Sequence, residues 1–352
     1  MSKPQIKLLF VVKERAVYDT KTRAYGLYNS CRFVSKALQR NGVSSFVVQV
    51  VDGNAIDKEV AFYKPTHCFI EAIWATPAKI EELSKLHPKV EWIIRLHSMI
   101  PFLSNEGMAF EWMNDYINLR KKGVKITLSC NNEKLHSYLK PLYKYVSYTP
   151  NIYESEDHAS LLKFDFTEMN AFNVGCFGAL RPFKNNVHQA ILAIRFADEI
   201  KKKLKFHVNV SEHEQNVAGP ILKNLREVFE RTNHELIEHP WYEHVDFLEL
   251  VKAMDFGMQL SLTETFNITA ADFVHCRIPI VASKEINFVS NATKVDVYDD
   301  EKIMKAIYNA FYRKTFVHGV MNSRHDFLEE SLGLLDEHNK EAVRDWIRLL
   351  DL

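Results

Sequence analysis

The chain has 352 residues, with 45 lysines and arginines balanced by 45 aspartates and glutamates, and 47% of it is hydrophobic. That length suits two domains of ordinary size, and a formal net charge of zero argues mildly against broad, nonspecific nucleic-acid binding. No run of about 18 apolar residues occurs, the "MSKPQIK" start lacks an apolar signal region, and five scattered cysteines have no zinc spacing. The expectation is a cytoplasmic globular protein with reduced thiols, no membrane span and no bound metal. The sequons at Asn209, Asn267 and Asn291 are then chance matches.

In chain order, "IKLLFVV" reads as a buried strand, and "LYNSCRFVSKALQRNG" has helical apolar spacing with a glycine stop. "SSFVVQVVD" and "THCFIEAI" follow as strands and "PAKIEELSKLHP" as a helix. "VEWIIRLH", "GVKITLSC" and "YVSYTP" are the strands that close the first half. Continuous apolar strands separated by helices predict a parallel sheet covered on both faces. Around "IYESEDHASLLKFDFTEMNAFN" the period is lost and acids accumulate, as in an interdomain linker. Alternation restarts at "NVGCFGAL" and continues through "NVHQAILAIRFADEI", "LKFHVNV" and "GPILKNLREVFERT" to "IPIVAS". The predicted architecture is α/β, two doubly wound Rossmann-like domains with a cleft between them. Ligands of such sheets bind beyond the carboxyl ends of the strands.

Two segments of the second half fall at such ends. In "SLTETFNITAADFVHCRIPIVAS" a strand expected to run to Thr263 meets a polar turn, then a helix carrying Ala270, Phe273 and Val274 on one face. Glu264 sits on the turn and Asp272 one to two turns into the helix. Acids near a helix start also favour its macrodipole, the plain reading of either one alone. In the other segment, "GCFGALRPFKNN", Gly175 and Gly178 follow the first strand and "ALRPFKNN" carries Arg181 and Lys184 toward a helix start. Such a loop can hold phosphate, although its spacing is neither a dinucleotide fingerprint nor a Walker loop.

These residues carry a resemblance. "ETFNITAADFVHCRIP" resembles the E-x7-E pattern of the family 4-like retaining group of GT-B glycosyltransferases, with Glu264 first and Asp272 second. "GALRPFKN" is similar to the family's phosphate loop, closely at Lys184 and approximately at Arg181. "RLHSMIPFLSNEG" resembles the segment with the active-site histidine, here His97, and "RAYGLYNS" stands where the family has a double glycine. "TPNIY" is similar to the strand end before the linker. The likeness implies an N-terminal acceptor-side domain at 1–152, a linker at 153–170 and a nucleotide-sugar-binding domain at 171–325. The tail 326–352, with "NKEAVRDWIRLL", would be a last helix returning to the first domain. Two departures stand out: Asn267 replaces a frequent glycine, and Arg277 replaces a helix-ending one. A left-handed arginine costs on the order of 1 kcal/mol, so a different helix end is expected.

The resemblance implies a transferase that moves a sugar from a nucleotide-diphosphate sugar, with retention and without metal or other cofactor. Asp272, if it faces the cleft, can accept from the ribose diol, while the amides of Phe266, Asn267, Ile268 and Thr269 point at phosphate or sugar oxygens. Glu264 would meet sugar hydroxyls, and Lys184 and Arg181 would neutralise the leaving diphosphate behind Gly178. His97 would hold a sugar hydroxyl or move a proton, though a lone histidine is more often structural. Gly26 and Glu106 are acceptor-side candidates, and Trp241 is more simply a structural aromatic than a stacking platform. The alternatives are a GT-B pair that binds nucleotide sugar without turnover, and an enzyme whose acceptor is a modified base in DNA. For the latter the basic clusters "LRKKGVK" and "KKKLK" are available, although lysines at helix ends explain them more simply. Sugar, base, acceptor and oligomeric state are not encoded in any motif of the chain.

Overall fold

The computed structural model describes residues 6–14, 25–154, 160–210, 219–315 and 322–351. The chain divides into two compact units, Met1–Glu154 with His338–Leu352, and Ser155–Glu337.

The first unit is built on β1 (Lys7–Lys13), β2 (Ser44–Val50), β3 (His67–Glu71), β4 (Glu91–Leu96), β5 (Ile126–Cys130) and β6 (Val146–Tyr148). All pairings are parallel, in the order β2-β1-β3-β4-β5-β6. The connecting helices are α1 (Tyr25–Arg40), α2 (Ala55–Tyr63), α3 (Pro77–Leu86), α4 (Ile100–Leu103), α5 (Ala109–Lys121) and α6 (Glu133–Leu139). The strands read as unbroken apolar runs because both faces are covered. Leu9 and Val11 point into a core with Ile56, Ile80 and Met113, whereas Leu8, Phe10 and Val12 point into another with Val34 and Trp346.

The second unit contains β7 (Ala171–Gly175), β8 (Lys203–Asn209), β9 (Glu235–His239), β10 (Phe256–Gln259), β11 (Ile280–Ser283) and β12 (Lys294–Val295). They too pair in parallel, in the order β12-β11-β10-β7-β8-β9. Its helices are α7 (Asn186–Glu199), α8 (Pro220–Glu230), α9 (His244–Lys252), α10 (Ile268–His275) and α11 (Asp300–Thr315). The strand order reverses between β7 and β10, which makes the ends of these two strands the topological switch point. A last helix, α12 (Asn322–Leu349), carries the chain into the first unit, where Trp346 is buried and its Nε1 donates to Pro150 O at 2.9 Å. There its ring lies 5.9 Å from Phe10 and 5.2 Å from Phe69.

Two local expectations are corrected. The strand expected to reach Thr263 ends at Gln259, because Leu260 N donates to the Gln189 side chain at 3.0 Å and Leu262 N to Phe183 O at 2.8 Å. These bonds pull the backbone out of the ladder and toward the segment that holds Lys184. Arg277 does take the left-handed conformation, at φ 56°. Ile278 N donates to Phe273 O and Arg277 N to Val274 O, both at 3.0 Å, so the helix closes in a Schellman arrangement without glycine. The described part of the linker is packed against the second unit. Phe166 lies 4.6 Å from the His207 ring and Phe164 5.4 Å from Tyr242, while Lys163 pairs with Glu249 at 2.8 Å. Residues 155–159 of that linker lie outside the described residues.

Candidate functional site

At the switch point of the second sheet, β7 ends at Gly175 and the chain turns at Gly178, whose φ of +107° is a conformation that favours glycine. Gly178 N donates to Asn209 Oδ1 at 3.2 Å. Gly175 has a different reason to be glycine. A Cβ there would stand 2.8 Å from the ring of Phe273 and 2.6 Å from that of Phe177, so the residue makes room for α10. A short 3-10 turn, Pro182–Lys184, follows the exposed Arg181 and brings Phe183 O to Leu262 N, at 2.8 Å, just beyond the end of β10.

There the Lys184 ammonium donates to Glu264 Oε1. The lysine side chain is 22% exposed and the glutamate 7%, so the pair is largely withdrawn from water. Asn267 Nδ2 donates to the same Glu264 oxygen at 3.0 Å and to Gln259 Oε1 at 2.8 Å. Its Oδ1 caps α10 by accepting from Ala270 N at 2.8 Å. Asparagine in place of the expected glycine therefore does two jobs, capping the helix and fixing the carboxylate. The backbone of Phe266, Asn267, Ile268 and Thr269 opens that helix, and a Cβ at Gly178 would stand 3.8 Å from Thr269 Oγ1. Gly178, Lys184, Glu264 and the start of α10 are thus brought together at the strand ends.

Asp272 is on the same helix but turned inward. It is buried, and its Oδ1 accepts from His244 Nε2 at 2.8 Å, a partner the sequence reading did not assign to it. Trp241, in the loop that leads to His244 at the start of α9, is half-buried.

In the first unit, His97 follows β4, and sequence reasoning missed what holds it. Its Nε2 is bonded to Glu71 Oε2, and Asn131 Nδ2 donates to its Nδ1 at 3.2 Å. Glu71 and Arg95 are direct partners across β3 and β4, both fully buried, with Arg95 Nη1 donating to Glu71 at 3.1 Å. Arg95 Nε donates to Thr149 O at 3.1 Å, and Nη2 donates to Thr149 O at 2.9 Å, Pro150 O at 3.2 Å and Asn151 Oδ1 at 2.6 Å. Burial alone would raise the Glu71 pKa, but the Arg95 charge and the hydrogen bonds from Arg95 and His97 outweigh it and hold the carboxyl below its ordinary range. Burial lowers the His97 pKa, and Glu71 offsets that only in part. Both shifts favour a carboxylate beside a neutral imidazole, the form in which Nε2–H donates to Glu71 and Nδ1 accepts from Asn131. Both strands read as continuous apolar runs, and that the strand acid Glu71 faces the strand arginine Arg95 follows only from the register. Glu106 is exposed beyond α4, and Gly26 is exposed in the first turn of α1.

Among the described residues no group of three or more His, Cys, Asp or Glu side chains is arranged to hold a metal ion, and no helix is long and apolar enough to cross a membrane. No family model matches the chain, and no curated protein does. Solved structures do. Trehalose-6-phosphate synthase OtsA superposes with a TM-score of 0.65 at 12% identity, covering 97% of this chain and 97% of that one. The fold is GT-B. The N-terminal domain of trehalose-6-phosphate phosphatase from Candida albicans has the same GT-B likeness, at a TM-score of 0.64, 11% identity and coverage of 100% and 98%. A UDP-forming trehalose-phosphate synthase from Burkholderia xenovorans follows at 0.60, 11% identity and 98% of each chain. At these identities the likeness is one of GT-B fold, and the chemistry has to be argued from the side chains.

Proposed function

We propose that the chain is a glycosyltransferase that takes a sugar from a nucleoside-diphosphate sugar, with retention and without a metal ion. The observation that carries this reading is the Lys184–Glu264 pair at the switch point, where α10 begins and Asn267 fixes the acid. A diphosphate beside Gly178 would draw the Lys184 ammonium, with Arg181 as second cation and the opening amides of α10 as uncharged donors. Their charge would meet the negative charge that grows on the leaving diphosphate, which is the task a metal performs elsewhere. Glu264, released from Lys184 but still held by Asn267, would accept from sugar hydroxyls. Asp272 reaches the ribose only if it shares its proton donor His244. Support for a uridine donor comes from the neighbours, one of which is a UDP-forming synthase and another of which holds UDP-2-fluoro glucose. Transfer with retention is the subject of a further neighbour's structure, again a trehalose-6-phosphate synthase.

A second reading, nucleotide-sugar binding without turnover, is favoured by one observation. Both ring nitrogens of His97 are engaged inside the protein, by Glu71 and by Asn131, so the imidazole has little freedom to serve a sugar.

The deciding experiment is calorimetry with a panel of nucleoside diphosphates and their sugars, followed by donor hydrolysis without acceptor in excess EDTA. Slow hydrolysis that survives EDTA supports the transferase. Tight binding with no hydrolysis and no transfer to any acceptor supports the second reading. If no nucleoside diphosphate binds, both readings fall.

A further inference from the structure

In the first sheet β3, β4, β5 and β6 are consecutive neighbours, and each begins just after a helix, α2, α3, α5 and α6 respectively. Four helix-to-strand turns therefore line one rim, at the opposite strand ends from Glu71 and His97. Backbone bonds hold these turns edge to edge. Glu91 N donates to Thr66 O at 2.9 Å, Trp92 N to Lys125 O at 2.8 Å and Leu128 N to Tyr145 O at 3.4 Å. With strands about 4.8 Å apart, the rim is roughly 15 Å long.

Every turn presents exposed lysine. The first has Lys64, and the second has Lys85 and Lys89. The third, "RKKGVK", has Lys121, Lys122 and Lys125, and the fourth, "LKPLYKY", has Lys140 and Lys144. Across residues 62–66, 85–91, 120–126 and 138–146 the one acid is Glu91, in a chain whose net charge is zero. From outside these stretches Asp57 reaches His87 at 2.7 Å, and Glu81 pairs with Lys85 at 3.1 Å. Cations at helix ends are favourable for the macrodipole, which accounts for some of the lysines. It does not account for the large apolar side chains between them. Phe62 is 76% exposed, Leu86 55% and Leu142 67%. Tyr145 is exposed too, with the Arg120 guanidinium 4.3 Å above its ring.

We propose that this rim docks on an anionic lipid surface. Lysines would lie among the headgroups while Phe62, Leu86 and Leu142 enter the boundary with the acyl chains, their neighbours' ammonium groups snorkelling back to water. Charge complementarity selects a negative partner, and the interleaved aliphatic and aromatic side chains select the bilayer over nucleic acid. A phosphodiester backbone would satisfy the lysines but leave Leu86 and Leu142 against charged oxygens and water. The rim also lacks the cluster of arginines and amides with which base edges are read.

The test is co-sedimentation of the full chain with phosphatidylcholine vesicles, with and without phosphatidylglycerol. Binding is expected only with the anionic lipid, and high salt should abolish it. Lys121→Glu, Lys122→Glu and Lys125→Glu together should lower vesicle binding by about tenfold or more. Leu142→Ser, which changes no charge, should lower it about tenfold while the salt dependence stays the same. All four side chains are exposed, and nucleoside-diphosphate binding should be unchanged in both variants, since Lys184 belongs to the other unit. Absence of binding to anionic vesicles, or binding that the charge reversals leave intact, overturns the proposal. If Leu142→Ser binds vesicles normally and a labelled oligonucleotide competes the vesicles off, the partner is nucleic acid and the lipid assignment is wrong.

Discussion

Replacing Lys184 by methionine separates the roles of the two charges at the switch point. The ammonium is expected to bind diphosphate through a charge-assisted contact worth about 1.5 to 3 kcal/mol, so Lys184→Met should weaken a nucleoside diphosphate roughly tenfold to a hundredfold or slightly more. The bare nucleoside has no such contact and should bind unchanged. In the free protein the substitution leaves Glu264, only 7% exposed, without its cation. Asn267 Nδ2, at 3.0 Å, still donates to it, so the cost should be about 2 kcal/mol rather than the roughly 3 to 5 of an uncompensated buried charge. Glu264→Gln should act in the opposite direction on ligand, because a competitor for the lysine is removed. Nucleoside diphosphate would then bind as tightly as before or more tightly, while turnover falls. Isothermal calorimetry with paired ligands and a urea titration of each variant measure all of these quantities. Equal losses for nucleoside and nucleoside diphosphate in Lys184→Met would refute the phosphate role. Weaker diphosphate binding in Glu264→Gln would refute the competition between the two anions.

Other outcomes follow from the geometry. Arg277→Gly should stabilise the second unit by about 0.5 to 1 kcal/mol, since it relieves the positive φ and sacrifices only a surface pair with Glu329; an unchanged or lower urea midpoint contradicts this. Asp272→Asn should weaken nucleotide binding and also destabilise the protein, because His244 is buried against that carboxylate; a purely ligand-side effect would mean the His244 bond has no structural weight. His239 and His207 stack with Nδ1 of His207 2.9 Å from Nε2 of His239, and burial pushes the His239 pKa down to about 4. A depressed folded value means the unfolded chain binds the proton first, so this stability is complete above about pH 6.5 and is lost as pH falls toward 4. At pH 5 the loss is about 2 kcal/mol for that histidine, and His239→Gln should flatten the decline in urea stability between pH 7 and 5 by that amount.

Much of the architecture was legible because parallel strands covered on both faces leave a plain trace, the unbroken apolar run. "IKLLFVV" and "IPIVAS" read as strands for that reason, and both are buried central strands. The ends of elements were less legible. Nothing in "DFGMQLSL" says that Gln189, on a helix some seventy residues earlier, captures the amide of Leu260. The Lys184–Glu264 meeting was implied by placing both residues at strand ends, since topology carries such ends to one edge. The partners of His97 and Asp272 were not, because Glu71 is 26 residues from His97 and His244 is 28 from Asp272. A single sequence offers no pairing information for residues joined only through register. Arg277 shows the opposite limit. The cost of a left-handed arginine argued for a different helix end, yet the two Schellman bonds and the Glu329 contact hold it there.

The polarity of a parallel sheet explains why chemistry and charge separate within the first unit. Each strand contributes one end to the edge where loops enter helices and the other to the edge where helices return. At the first edge the loop lengths are free, and that is where Glu71, His97 and Asn131 converge behind the strand ends of β3, β4 and β5. At the second edge the turns are short and each follows a helix C-terminus, so cations accumulate there at little electrostatic cost. That bias makes a basic rim easy to evolve but does not specify it. The specifying residues are the exposed Phe62, Leu86 and Leu142, which lose solvation freedom for water and gain nothing from the macrodipole. Substituting those three to serine should therefore leave folding stability nearly unchanged while removing vesicle binding. A large loss of stability would instead make them part of the packing of α2, α3 and α6, and the rim would be no more than a set of well-placed helix ends.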